Sequence, residues 1–170
     1  LGYEARDRRD SIVFVVQAIV RDDSLVETGY EPVGGCRGFE LLREIPPERI
    51  ARTAIGRALA MLSARKAPAG IMPVVLSSEA GGTMIHEAIG HGLEADLAGE
   101  GLSVYSGKIG QQVASSAITV IDDATIPGLR GSYGCDDEGS PSARTVLVER
   151  GVLKGYMTDL ITSRKYGLPL

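Results

Sequence analysis

Tryptophan is absent from this chain, phenylalanine occurs twice, and aromatic residues make up 5% of it. A platform that stacks the bases of a single strand needs more rings than that, so that class of nucleic-acid binder is excluded. Positive charge is not in excess either. The formal net charge of −4 offers no basic face for a phosphate backbone or a membrane surface. Long apolar runs are also missing. The longest, Ile12 to Val20, is interrupted by Gln17 and falls far short of spanning a bilayer. No charged-then-apolar leader opens the chain, so no export is expected and the cytoplasm is the expected compartment. The two cysteines, Cys36 and Cys135, lie far apart and are expected to be free thiols in that compartment. What is there is ordinary for a globular protein: 44% apolar and 24% charged residues over 170 positions, enough for one domain with a core. The chain opens at Leu1 rather than Met and ends at Leu168-Pro169-Leu170 without a capping pattern. The expectation is a single domain, residues 1–170, that forms part of a longer chain with further N-terminal and C-terminal portions.

Patterning predicts α+β. Ser11 to Val20 reads as a strand buried on both faces, Arg21-Asp22-Asp23-Ser24 as a turn, and Leu25 to Tyr30 as the returning arm. Glycines at Gly29, Gly34, Gly35 and Gly38 mark an irregular stretch before Phe39-Glu40-Leu41-Leu42. Pro46-Pro47-Glu48 opens a helix whose apolar positions, Ile50, Ala54, Ile55, Ala58, Leu59, Met61 and Leu62, recur at helical spacing. It is expected to end near Ala64 to Lys66. Met72 to Leu76 reads as a strand, Ser77 to Gly82 as a loop, and Thr83 to Ala95 as a second helix. Short strands then follow at Leu102–Tyr105, Ala117–Ile121, Thr145–Glu149 and Val152–Met157, with Gly151 turning between the last two. Asp159 to Tyr166 suits a terminal helix. The predicted fold is therefore a mixed or antiparallel sheet with two main helices.

The second helix carries both histidines of the chain, in Thr83-Met84-Ile85-His86-Glu87-Ala88-Ile89-Gly90-His91-Gly92-Leu93-Glu94. A His-Glu pair with a second His on an apolar helix is how a zinc hydrolase sets two ligands beside a general base. Here the histidines are one residue further apart than in H-E-x-x-H. In a regular α-helix, residues five apart are rotated by about 140° and cannot reach one ion. An inserted π turn restores them to one face, and Gly90 and Gly92 offer the least resistance to leaving α geometry. A distortion between Glu87 and Gly92 is therefore predicted. Glu87 would be the general base, taking a proton from the attacking water. The third ligand stays open among Glu94, Cys135 and Asp136. The plainer reading is a hydrogen-bonded His-Glu pair on a half-buried helix.

Other stretches say less. Asp136-Asp137-Glu138, between Gly134-Cys135 and Gly139-Ser140-Pro141, lacks the alternation of an EF-hand loop, and clusters of this kind are usually solvated turns. Cys135 has no histidine near it in sequence to make it a nucleophile. Gly107 and Gly110 lack the strand-then-helix context of a phosphate loop.

Several blocks together resemble the TldD/PmbA family of metallopeptidases. They are Ala67-Pro68-Ala69-Gly70-Ile71-Met72-Pro73-Val74-Val75-Leu76, His86 to Asp96, Ser103-Val104-Tyr105-Ser106-Gly107, Asp136-Asp137-Glu138-Gly139, and Val152-Leu153-Lys154-Gly155-Tyr156-Met157. The family has been labelled a modulator of DNA gyrase. The resemblance implies a zinc-dependent peptidase that trims or degrades unfolded peptides, which enter as an extended segment along a sheet. It implies that His86 and His91 are zinc ligands and Glu87 the catalytic base. It also implies a TldD-type subunit, paired with a related TldE/PmbA-like subunit or with its own copy, and no nucleic-acid or membrane partner.

Family members run well over twice this length, and their third zinc ligand is a cysteine from a C-terminal portion without counterpart here. Neither Cys36 nor Cys135 stands in a matching context. The chain is thus expected to hold two ligands and the base, and to have little or no peptidase activity alone. It is expected to expose apolar surface where the missing portion packs. Two other classes remain open: a non-catalytic binding or assembly subunit, and a carboxylate-rich iron site in which His86 or His91 joins Glu87 and Glu94.

Overall fold

The computed structural model describes residues 4–170. The chain divides into two compact units, one of Arg6–Ile71 with Thr125–Gly134, the other built mainly from Met72–Ala124 and Cys135–Leu170. The architecture is α+β, as expected, and the described residues form two small antiparallel sheets and five α-helices.

In the first unit, β1 (Ile12–Asp22) and β2 (Leu25–Gly35) form a hairpin, with Asp22 opposite Leu25 and Asp23 at φ 49° in the turn. The return arm is thus longer than Leu25 to Tyr30. The strand was expected to be buried on both faces, and it is not. Its residues alternate between half-buried and exposed, with Val13, Val15 and Ile19 on the open side. The reason is architectural: a two-stranded sheet covered by one helix has one wet face. A short helix α1 (Leu41–Glu44) precedes the covering helix α2 (Pro47–Leu62), whose Pro47 sits in the first turn as the sequence predicted. Ile50, Ala54 and Ala58 are its buried positions. Gly29 lets α2 approach, since a Cβ there would stand 1.8 Å from the Ala54 carbonyl oxygen. Arg57 on the same helix pairs with Glu31 and donates to the Tyr30 carbonyl at 2.7 Å.

The second unit contains α3 (Ser78–Ile85), α4 (Ala95–Gly99), a sheet of β3 (Val120–Asp123), β4 (Arg144–Glu149) and β5 (Val152–Leu153), and α5 (Leu160–Tyr166). Arg150 and Gly151 turn β4 into β5. The core of this unit is Leu93, Leu147, Val148 and Leu153, with Ile89, Tyr105, Val113, Val120, Tyr156 and Met157 packed around it. Asp159 caps α5, accepting the Thr162 backbone N–H at 2.6 Å in a capping box.

Four strand expectations need correction. Met72 to Leu76 is irregular and exposed, and among the described residues no strand pairs with it to satisfy its backbone groups. Leu102 to Tyr105 is a series of turns, in which the Leu102 N–H bonds back to the Leu97 carbonyl and the Ser103 N–H to the Ser106 hydroxyl. Pairing at Ala117–Ile121 begins only at Val120, since Ile118 N–H turns back to the Ser115 carbonyl. Beyond Leu153 the backbone leaves β5, and Met157 instead makes a single parallel bridge with Glu94. Ser77 to Gly82 is also corrected, because α3 already starts at Ser78. Neither cysteine is in a disulfide. Among the described residues no helix is long and apolar enough to cross a membrane.

Candidate metal centre

Helix α3 does not continue as an α-helix past Ile85. Residues His86–Gly90 form a π turn, closed by the His91 N–H bonding to the His86 carbonyl five residues back. A 3₁₀ turn follows at His91–Leu93, and the backbone then opens at Glu94 to φ −70° and ψ 131°. The distortion lies where the histidine spacing required it. Gly92 has a second reason to be glycine. A Cβ there would stand 2.9 Å from the Tyr105 ring, so the turn could not lie this close to the core with any other residue. Ser103 Oγ donates to the Gly92 carbonyl, and the Tyr156 hydroxyl donates to the Tyr105 carbonyl at 2.6 Å. Leu93 is fully buried, and its carbonyl accepts the Met157 N–H at 2.8 Å. The far side of the turn is thus pinned while its histidine side faces solvent.

On that side the two imidazoles meet edge to face, with ring centroids 4.6 Å apart and planes at 74°. His86, Glu87 and His91 are the one group of three or more such side chains among the described residues whose ligand atoms converge, lying within 4.8 Å of one another. Donors around a tetrahedral ion bound at about 2.1 Å stand about 3.4 Å apart, so the cluster would tighten around an ion. Two imidazole nitrogens and a carboxylate oxygen are also the donor types a borderline cation such as zinc accepts. His91 Nδ1 lies 2.8 Å from Glu94 Oε1, and its Nε2 lies 3.7 Å from Glu87 Oε2. With two carboxylates beside two imidazoles, the local charge favours a cation.

Glu94 therefore stands against His91 rather than as a separate member of the converging cluster. Cys135 and Asp136 are not in the cluster. Cys135 bridges to Pro141, and Asp136 Oδ1 accepts the N–H groups of Glu138 at 2.9 Å and Ser140 at 2.8 Å, which makes a self-satisfied turn. Cys36 belongs to the other unit, its Sγ 3.4 Å from the Ser132 carbonyl. Sequence reasoning missed the supports Ser103, Tyr105 and Tyr156. The signal for them was thin: a Ser-x-Tyr after a glycine-rich turn, with no period to place the ring against Gly92.

Residues 69–170, which include the cluster, match the family model described as the PmbA/TldA metallopeptidase C-terminal domain. A metalloprotease TldD homolog of Haemophilus influenzae is 41% identical over 172 residues, spanning 98% of this chain and 36% of that protein. A metalloprotease of Methanothermobacter thermautotrophicus is 40% identical over 157 residues, spanning 92% of this chain and 34% of that protein. Among solved structures, a modulator of a DNA gyrase from Thermotoga maritima superposes with a TM-score of 0.77 at 27% identity, covering 92% of this chain and 35% of that one. The chain thus spans about a third of the length of these relatives.

Proposed function

The chain belongs to the PmbA/TldD family of metallopeptidases, and we propose that it carries two ligands and the general base of a zinc-dependent peptidase. Its substrates on this reading are unfolded peptides, trimmed or degraded in the cytoplasm. The observation that supports it most is the π turn that gathers His86, Glu87 and His91 on one exposed face.

Zinc held by His86 and His91 would supply Lewis acidity toward the scissile carbonyl and make a water molecule more acidic. Glu87 sits beside the first of these ligands and within 3.7 Å of the second. Its carboxylate would take the proton of the attacking water and return it to the departing amine. The exposure of all three side chains suits a long, sequence-tolerant substrate, since a peptide can lie across the site without entering a closed pocket. We assign the third ligand to a cysteine outside these 170 residues and the partner to a related TldE/PmbA-like subunit or a second copy. The isolated chain then has little or no peptidase activity.

Metal analysis and peptide cleavage in the longer protein test this reading. His91→Ala loses zinc, whereas Glu87→Gln keeps zinc and loses cleavage. A zinc-free protein with normal cellular function overturns the peptidase reading in favour of a binding or assembly subunit. Bound iron in place of zinc favours the carboxylate-rich alternative.

A further inference from the structure

The two nitrogens of His91 face different carboxylates at different distances. Nδ1 is 2.8 Å from Glu94 Oε1, a hydrogen bond, while Nε2 is 3.7 Å from Glu87 Oε2, too far for one. An ionised carboxylate only accepts, so in the neutral imidazole the proton of this bond must sit on Nδ1. That leaves the Nε2 lone pair free and directed to the side where Glu87 stands. We infer that Glu94 is a positioning residue: it holds the His91 ring and its tautomer so that Nε2 is the metal-donating atom. This rests on the metal reading above.

Glu94 is itself well held. The helix breaks there, with Leu93 before it and Ala95 after it almost completely buried, at 0% and 1% exposure. The Ala95 N–H bonds to the Met157 carbonyl at 2.9 Å, and the Met157 N–H returns to the Leu93 carbonyl at 2.8 Å. This parallel bridge fixes the Glu94 backbone to the core of the unit, so its carboxylate meets His91 from an anchored base. His91 is on the 3₁₀ turn, three residues earlier, and Gly92 between them is locked by Tyr105 and Ser103. The separation of three residues is what lets one short turn place both partners of the bond. A ligand whose second nitrogen is bonded to a carboxylate is a stronger and better-oriented donor.

The test uses the 170-residue chain, labelled with ¹⁵N, whose two histidines give two ring systems. Long-range proton–nitrogen correlations are recorded well above the usual imidazole pKa of about 6.5, and zinc affinity is measured in the longer protein, which supplies the third ligand. His91 is expected as the Nδ1–H tautomer in the parent chain, and as mainly Nε2–H in Glu94→Ala. Glu94→Gln, which keeps an acceptor oxygen, is expected to retain Nδ1–H. Zinc affinity should fall about tenfold to a hundredfold in Glu94→Ala and by less in Glu94→Gln. An Nε2–H tautomer in the parent chain, or equal zinc affinity of the parent and Glu94→Ala, overturns the positioning role. If the parent chain shows Nδ1–H but the longer protein binds no zinc, the metal reading itself has failed, and the inference falls with it.

Discussion

The His91 N–H bonds to the carbonyl of His86 across a π turn, and the rings of the same two residues meet at a centroid distance of 4.6 Å. One backbone bond thus sets the side-chain geometry of the candidate site. Everything that shapes that turn should also shape metal binding.

Gly92→Ala is expected to act on the site without touching a ligand. The added Cβ would fall 2.9 Å from the Tyr105 ring, forcing the 3₁₀ turn outward. Overpacking of this kind costs about 1–3 kcal/mol. Urea denaturation should show that loss, and zinc titration should show weaker binding than in the parent.

Leu93 and Leu153 are equally buried in one core and differ in what they support. Truncating either to alanine should cost about 2–5 kcal/mol, measurable as a lower urea midpoint. Under native conditions only Leu93→Ala should also weaken zinc binding, because Leu93 ends the turn that carries His91.

Two glycine substitutions in the other unit should have opposite signs. Gly29→Ala places a Cβ 1.8 Å from the Ala54 carbonyl oxygen, where backbone faces backbone and neither side can yield cheaply. Gly56→Ala, on the same helix α2, meets nothing within 4 Å. The first should destabilise by at least about 1–3 kcal/mol. The second should stabilise by about 0.4–1 kcal/mol through the unfolded state. Thermal or urea unfolding of both variants checks the pair.

Acid should weaken the C-terminal helix first through its cap. The Asp159 carboxyl is held below the ordinary carboxylate range, chiefly by the Thr162 backbone N–H and then by the Thr162 hydroxyl. Its value in the unfolded chain is the ordinary one, about 3.9. A folded value below the unfolded one contributes stability that is present above that pH and lost as the pH falls through the folded value. Glu100 acts in the same direction, held down by Lys165 and then by Tyr166. Asp159→Asn should therefore flatten the fall in urea midpoint between about pH 5 and about pH 2.

Much of this was legible in the chain and some was not, for physical reasons. The π turn could be read from two histidines because five residues cannot close on one face of an α-helix. The start of α3 could not, because Gly81 and Gly82 each carry a helix penalty of about 1 kcal/mol, and the pair reads as a loop. Met72 to Leu76 has the composition of a strand, but a strand exists only with a neighbour, which composition does not supply. The contact that Glu94 makes was not legible, for a related reason. Spacing put it among three open candidates for a third ligand, while the backbone at ψ 131° sets its carboxylate 2.8 Å from His91 Nδ1, which spacing alone does not predict.

The central claim is that His86 and His91 hold one and the same ion. Zinc affinities of the longer protein, His86→Ala, His91→Ala and the double variant test it most directly, since residues acting on a shared site are non-additive. The account predicts one zinc at this site in the longer protein, and a loss in each single variant as large as in the double. Single losses that simply add, or single variants that bind as the parent does, would contradict it.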